Sequence, residues 1–214
     1  MKEIKTRIKS VESTKQITKA MELVSSSKFR KAKERAESAR PYFNTLYNTV
    51  QDIAKNTSNS RNVFLKERKV NNVCYIVIAG DRGLAGGYNS NILKAVIAHN
   101  KLGTGKVIPV GKKAKESLSK RGYEVIDYIE SVEKCVYEDA NRVAQAAMEA
   151  YKNGEVDEVN LVYTEFISAL SQEPKIVKLL PVTIDNTNTE KEAVYQLFFH
   201  KAAGWSHALL NQVR

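Results

Sequence analysis

The feature that most constrains the fold is the run of residues 1–55, which is basic, contains no glycine and holds one proline, Pro41. From residue 32 onward its apolar side chains alternate between steps of four and three residues, which is the spacing of a coiled-coil seam. The sequence therefore predicts a long helix that pairs with a second helix. The seam consists of Ala32, Ala36, Ala39, Phe43, Leu46, Val50 and Ile53.

Three local features modify this helix. Two shorter apolar runs precede the seam, and the step between them is one residue short of a heptad, which re-phases the apolar face. The serines at 25–27 are poor helix-interior residues, but their small side chains let another surface approach closely. Pro41 lacks an amide donor, yet the seam stays in phase across it. We expect one continuous, kinked helix, with two helices meeting at Arg40 and Pro41 as the alternative.

The positive charge of the chain is concentrated on this helix. The formal net charge is +10, and residues 1–40 hold twelve Lys or Arg against five Glu. A basic helix indicates an acidic partner, which can be nucleic acid, anionic lipid or an acidic protein surface. The alternative is a solvated helix that is merely rich in lysine.

A Rossmann-like α/β domain is predicted for residues 71–184, after a polar linker at 56–70. Residues 73–79 form a continuous apolar run, as in a strand buried on both faces. Helical and strand patterns alternate after it, which favours a mostly parallel sheet with helices on its faces. The predicted strands are 73–79, 106–110, 123–129, 159–166 and an antiparallel 176–184, the helices begin near 89–91, 112 and 136, and 172–174 is interpreted as a turn.

The glycine-rich loop 80–89 lies between a predicted strand and helix, where a phosphate-binding loop would lie. Its spacing, G-x-x-G-x-x-G-G, differs from the dinucleotide fingerprint, and the second strand ends at 110–112 without the acidic residue that would hold a ribose. No Gly-Lys-Ser/Thr follows, as a Walker A loop requires, and Asp81 would bring a negative charge close to any phosphate. We therefore expect a structural role, in a tight strand-to-helix turn, for Asp81, Arg82, Gly83, Gly86 and Gly87.

No catalytic, cofactor-binding or metal-binding residues are predicted. The three histidines, His99, His200 and His207, have no carboxylate or cysteine placed near them in sequence. Cys74 and Cys135 show no metal or disulfide spacing, which favours a reducing compartment. No apolar run has the length of a membrane span or a signal sequence, so we expect a soluble or peripheral protein. A Rossmann-type nucleotide-binding enzyme and a nucleic-acid-binding protein that uses its basic helix both stay open on these residues.

Several motifs resemble the γ subunit of F-type ATP synthase. The resemblance covers residues 1 to about 184, and the motifs of the first helix and of the glycine-rich loop are its most specific parts. Ala85 stands where many family members have cysteine. The matching segments are 3–8, 10–11, 14–24, 27–32, 39–42, 81–91, 163–166, 172–174 and 179–181.

The resemblance implies a non-catalytic central-stalk subunit, the rotor of F1Fo ATP synthase. Such a rotor couples proton translocation through the membrane c-ring to ATP synthesis in the α3β3 hexamer by rotation. The implied partners are the α, β and ε subunits and the c-ring, with no cofactor, no small-molecule substrate and no nucleic acid. The implied location is peripheral, at the cytoplasmic face of a bacterial cell membrane.

The resemblance also implies roles for particular residues of the helix. Basic side chains inside the bore of the hexamer would meet an acidic loop of β, a complementarity that sets register more than affinity. The seam would pair with a second, antiparallel helix at the end of the chain. By position, the residues that would face the bore are Lys19, Met21, Lys28, Phe29, Arg30 and Lys31.

Residues 185–214 depart from the family's pattern. Family members finish with that second long helix, and this segment is too short to pair along the first one. We expect a truncation or a frameshift to explain this tail, with a specialised short homologue as the alternative. Because a lone helix cannot bury its seam or resist twisting, we expect its competence as a torque-bearing shaft to be impaired.

Overall fold

The long N-terminal helix is continuous. The structure, a computed structural model, describes residues 2–56, 63–83, 85–103, 105–168 and 171–182. Helix α1 spans Lys2–Asn56 and contains Pro41. The prediction of one continuous helix is confirmed, and the alternative of two helices is wrong. Proline cannot donate its amide to the preceding turn, but the Pro41 carbonyl still accepts a hydrogen bond from the Thr45 hydroxyl at 3.1 Å.

Only part of the predicted seam lies among the described side chains. Ala32 is buried, and Ala39 and Leu46 are half-buried. The side chains of the other four seam positions, like the tail 185–214, lie outside the described residues. Those four positions are Ala36, Phe43, Val50 and Ile53.

The second part of the chain folds into an α/β domain. Its strands are β1 (Val73–Ile78), β2 (Lys106–Val110), β3 (Glu124–Val125), β4 (Glu158–Phe166) and β5 (Gln172–Leu180), and its helices are α2 (Tyr88–His99), α3 (Lys112–Ser119) and α4 (Tyr137–Lys152). The sheet order is β3-β2-β1-β4-β5. The first four strands are parallel and β5 is antiparallel to β4. The predicted α/β class, with a long helix and a mostly parallel sheet, is confirmed.

The core lies on both faces of the sheet, with β1 at its centre. All six residues of β1 are buried, as its continuous apolar run predicts. Cys74 and Ile76 pack on the face that α4 covers, together with Tyr151. Tyr75 and Val77 pack on the opposite face, together with Ile92 of α2.

Strand β3 is shorter than the sequence predicts. The expected strand at 123–129 is reduced to two residues, and Ile129 forms only an isolated bridge with Val110. The carbonyl of Pro109 faces this side of β2, because it accepts a hydrogen bond from the Ile129 amide at 3.0 Å. In a parallel ladder the amide of the same residue points the same way, and proline has no amide hydrogen to donate. The regular ladder therefore stops at this point.

The interpretation of 172–174 as a turn is wrong. Pro174 lies inside β5, opposite Thr164 of β4. The turn comes earlier, where the Ser168 amide donates to the Ser171 carbonyl at 3.0 Å and the Ser171 amide donates to the Ser168 hydroxyl at 3.0 Å. Within the part of the chain that the structure describes, β5 is an edge strand, and edge strands accept proline because one side makes no ladder.

Candidate functional site

The Asp81 carboxylate, from the loop after β1, binds the N-terminus of α3 at the carboxyl edge of the sheet. One carboxylate oxygen accepts hydrogen bonds from the amides of Val132 at 3.1 Å and of Lys112 at 3.4 Å. The other oxygen accepts from the Ser131 hydroxyl at 2.8 Å. Because Lys112 is the first residue of α3, the carboxylate occupies the positive end of that helix. An external anion would have to displace it.

The rest of the glycine-rich loop is held by Asn89. Its side-chain oxygen accepts from the Gly80 amide at 2.8 Å, and its side-chain nitrogen donates to the Arg82 carbonyl at 3.1 Å. The sequence predicts a helix start near 89–91, and α2 begins just before that range, at Tyr88, after Gly87. Gly86 has a φ of +55°, in the left-handed region that favours glycine. Arg82, Gly83, Gly86 and Gly87 are all exposed.

Gly111 is a structurally constrained residue that sequence reasoning missed. It has a φ of +100°, and a Cβ atom there would lie 2.1 Å from the Ala79 carbonyl oxygen. Its amide donates to the Ile129 carbonyl at 2.9 Å. The sequence does hold a signal, because Gly111 lies between a predicted strand and a predicted helix. In the structure this glycine lies where the chain segments that follow β1 and β2 meet.

An open pocket of about 440 Å³ lies at this carboxyl edge of the sheet. Its charged lining is balanced, with three basic and three acidic side chains. Several of these groups are already engaged, since Asp139 accepts from the Val136 amide at 3.1 Å and Arg142 binds Asp127. The pocket therefore has little net attraction for an anionic nucleotide. The charged lining residues are Asp81, Lys112, Glu130, Lys134, Asp139 and Arg142.

Helix α1 contacts the α/β domain through one face of its middle. Ser25 and Ala32 are each only 2 % exposed, and the small serine permits the close approach that the sequence predicts. The Lys28 ammonium lies 3.1 Å from a Glu133 carboxylate oxygen. The Phe29 ring packs against Phe166 with centroids 5.3 Å apart and planes inclined by 59°.

The contact has a simple geometry. Its α1 residues are spaced as i, i+3, i+4 and i+7, which places them on one side of the helix over two turns. Phe166 is the last residue of β4, and Glu133 lies between β3 and α4, so both belong to the carboxyl edge of the sheet. We call this contact the helix joint; it consists of Ser25, Lys28, Phe29 and Ala32 on α1, with Glu133 and Phe166 on the domain.

The structure divides the residues that the resemblance assigned to the bore. Lys28 and Phe29 contact the chain's own domain, whereas the other four are exposed. At about 100° per residue, Lys19 and Arg30 share the face opposite the joint, while Met21 continues the joint's own stripe toward the N-terminus. Lys31 is exposed beside Arg30. The role of these four residues in the bore stays a prediction.

The part of α1 before the joint carries exposed apolar side chains. Every residue from 2 to 24 is exposed, and we call this segment the projecting arm. Single apolar side chains on a surface are ordinary, but a group of large ones along one helix indicates a partner. The exposed fractions range from 55 % to 67 % for Ile4, Ile8, Val11, Ile17, Met21, Leu23 and Val24.

The described residues offer little for catalysis. They include no group of three or more His, Cys, Asp or Glu placed to hold a metal ion. Burial raises the pKa of the Cys74 thiol to about 12 and that of Cys135 to about 11, which keeps both in the weakly nucleophilic thiol form. The His99 ring nitrogen lies 3.0 Å from the Tyr75 hydroxyl, in a packed contact under α2. Among the described helices, none has the length and apolar character needed to span a membrane.

The structure thus defines a class: an α/β domain in which the Asp81 carboxylate occupies the N-terminus of α3, and on which a long basic helix is docked. Residues 1–212 match a family model described as ATP synthase. The ATP synthase gamma chain of Alkaliphilus metalliredigens is 46% identical over 184 residues, covering 85% of this chain and 64% of that protein. The gamma chain of Lachnoclostridium phytofermentans is 44% identical over 194 residues, covering 90% and 67%. The chain belongs to the ATP synthase gamma-chain family.

Solved structures share the fold. The central stalk in a Tetrahymena thermophila mitochondrial ATP synthase structure is similar with a TM-score of 0.63 at 24% identity, covering 92% of this chain and 95% of that one. A chain of the Euglena gracilis mitochondrial enzyme gives 0.61 at 16% identity, covering 98% and 80%. The chain spans about two thirds of the length of the curated relatives it matches. The family match runs past residue 184 and includes most of the segment 185–214, which the individual motifs leave unmatched.

Proposed function

We propose that this chain is a non-catalytic central-stalk subunit, the rotor of an F1Fo ATP synthase. It couples ion translocation through the membrane c-ring to ATP synthesis in the α3β3 hexamer by rotating inside it. Its own partners are the α and β subunits around α1, with the ε subunit and the c-ring at the α/β domain. Membership of the gamma-chain family supports this proposal.

The observation that carries the proposal is the projecting arm. A helix in which residues 2–24 are all exposed gains no stability from its own domain, and helical stability in proteins comes mostly from packing. The arm combines large apolar side chains with basic ones, including Lys19. That combination suits a bore with apolar walls and acidic loops.

The α/β domain serves as the structural support of the shaft helix and not as a nucleotide-binding site. The Asp81 carboxylate is bonded to the amides of Val132 and Lys112, and Asn89 holds the loop from within, so we infer a structural role for the whole loop. The five residues Asp81, Arg82, Gly83, Gly86 and Gly87 then fix the turn between β1 and α2. This leaves the outer surface of the domain available for ε and the c-ring.

The location follows from the assembly. As a rotor subunit the chain is peripheral, on the cytoplasmic face of a bacterial cell membrane. We propose protons as the coupling ion; one relative, from Acetobacterium woodii at 41% identity, is described as sodium ion specific. ATP synthesis by the assembled complex in vesicles can be measured with a proton gradient alone and with a sodium gradient alone. Synthesis that needs only the proton gradient supports protons as the coupling ion.

The proposal is tested by binding of the 214-residue chain to purified α3β3 hexamer. We expect the double charge reversal Arg30→Glu and Lys31→Glu to weaken binding at least tenfold at about 0.1 M salt and to flatten its salt dependence, because the basic side chains meet acidic loops. Lys28→Glu is a poorer test, since Lys28 pairs with Glu133 inside the chain. Surface plasmon resonance over a series of salt concentrations gives both quantities.

The matched control is Lys94→Glu, an exposed charge reversal on α2 of the domain. It should leave binding to α3β3 unchanged. Absence of hexamer binding by the unaltered chain, or equal weakening by the control, would contradict the proposal.

Two other functions are less well supported. A Rossmann-type nucleotide-binding enzyme would bind phosphate at the glycine-rich loop, but Asn89 bonds to the Gly80 amide and the Arg82 carbonyl of that loop. Calorimetry with NAD or ATP at millimolar concentration should therefore give no heat. A nucleic-acid-binding protein should lose affinity steeply with salt, since phosphate contacts release counterions. Gel-shift titrations of the chain with duplex DNA and with RNA over a salt series measure that dependence.

A further inference from the structure

The helix joint is the last point at which α1 touches its own domain before the projecting arm begins. Ser25 is buried, and no residue from 2 to 24 is. The direction in which the arm points is therefore set at the joint. The chain itself connects α1 to the domain only beyond Asn56, at the opposite end of the helix.

The dimensions make the joint mechanically sensitive. The joint spans about 10 Å of helix axis, while the arm extends about 35 Å beyond it, at about 1.5 Å per residue. If one end of the joint shifts sideways by about 1 Å relative to the other end, the tip of the arm therefore shifts by about 3.5 Å. A shaft that must meet a catalytic hexamer in defined positions cannot tolerate such a displacement.

The ring contact and the ion pair of the joint differ in character. Two packed aromatic rings resist separation in most directions, and the inclined geometry of Phe29 and Phe166 is a favourable one. The Lys28–Glu133 pair is about one third exposed, and such pairs add little to stability. A directional ion pair beside the ring contact does, however, restrict rotation of the helix about its own axis. Ser25 and Ala32 keep the helix close enough for both contacts.

We propose that Lys28 and Phe29 are positioning residues that lock the direction and rotation of α1 on the α/β domain, through Glu133 and Phe166, so that torque passes between the domain and the helix at this joint. The inference rests on the proposed rotor function for its consequence, but the lock itself is a property of the isolated chain. It removes Lys28 and Phe29 from the residues that face the bore and leaves Lys19, Met21, Arg30 and Lys31 for that role.

The lock is tested by electron-spin distance measurement between the arm and the domain. Spin labels are placed at Ser10→Cys and Ala98→Cys, both exposed positions, in a Cys135→Ser background; Cys74 is fully buried. We expect a narrow distance distribution in the reference protein. Phe29→Ala and Lys28→Glu should each broaden it at least twofold.

Two further variants make the measurement specific. The charge swap Lys28→Glu with Glu133→Lys should restore the narrow distribution, which general helix destabilisation cannot explain. Arg30→Glu, on the opposite face, should leave the width unchanged. Retention of the reference width in both Phe29→Ala and Lys28→Glu would overturn the inference, as would broadening that the swap fails to reverse.

The functional consequence is measured in the assembled complex. Lys28→Glu should lower the number of ions pumped per ATP hydrolysed at least twofold, and the swap should recover it. An unchanged ratio in a variant with a broadened distance distribution would overturn the torque role. Failure of the unaltered chain to bind α3β3 would instead refute the proposed function, while the distance measurement on the isolated chain still decides the lock.

Discussion

At the residue scale, the turn between β2 and α3 depends on the absence of a side chain. The Ala79 carbonyl, just after β1, comes so close to Gly111 that no Cβ atom fits, and Val132 closes the other side at 2.8 Å from that position. The positive φ adds backbone strain for any other residue. This turn also places the Lys112 amide beside Asp81, so the packing of the loop and the occupation of the α3 N-terminus have one cause.

We expect Gly111→Ala to lower the free energy of unfolding by about 3 kcal/mol or more, because overpacking adds to strain. Gly154→Ala is the matched control: it also has a positive φ, +76°, but no atom lies within 4 Å of its added Cβ. The control should cost only about 1 kcal/mol, from strain alone. Urea unfolding followed by circular dichroism measures both, and equal losses would contradict the steric account.

At the element scale, the hydrophobic pattern predicts the helices and strands well, but the effect of proline is not predicted correctly. One proline suggests a turn where a strand continues, and another ends a strand pairing without a signal in the sequence. The long helix and the buried β1 followed from periodicity and from a continuous apolar run. Pro174 indicated a turn, but it lies in an edge strand that tolerates it. Pro109 gave no warning, although its missing amide stops the ladder to β3. Local sequence does not reveal which side of a strand a proline faces, and that side decides its effect.

The proline within α1 provides a test at this scale. Pro41→Ala supplies the missing amide and relieves the ring's clash with the preceding turn, so we expect the helix to gain about 1 to 3 kcal/mol locally. Hydrogen exchange of the α1 amides on both sides of position 41 should slow at least fivefold. Tyr42→Ala, at a neighbouring exposed position, should have little effect. Unchanged exchange in Pro41→Ala would show that the helix absorbs the proline without local weakening.

At the scale of the whole molecule, the sequence predicted the two parts but not how they meet. Motif resemblance and charge placed Lys28 and Phe29 with Arg30 and Lys31 in one basic cluster. The structure separates them because Glu133, 105 residues away from Lys28 in the chain, lies beside that face of the helix. A pairing over such a distance leaves no periodic signal in a single sequence, whereas helices and strands do.

The stability of the whole molecule should fall at alkaline pH. Burial raises the pKa of the Cys74 thiol from 9.0 to about 12, and burial also raises the pKa of the Tyr75 and Tyr88 hydroxyls. These groups are neutral when protonated, so the folded protein keeps protons that the unfolded chain releases. The contribution of these groups to the free energy of unfolding is complete below about pH 9. It is lost progressively as the pH rises toward the folded-state pKa values.

Each such proton should contribute a slope of about 1.4 kcal/mol per pH unit to the free energy of unfolding. Cys74→Ala removes one of them, so its unfolding free energy should decline less steeply between pH 9 and 12, whatever its lower value at neutral pH. Cys135→Ser, at a half-buried thiol whose pKa is raised less, should change the slope less. Urea unfolding at a series of pH values measures these slopes. Parallel curves for Cys74→Ala and the unaltered chain would mean that the buried thiol does not couple to folding.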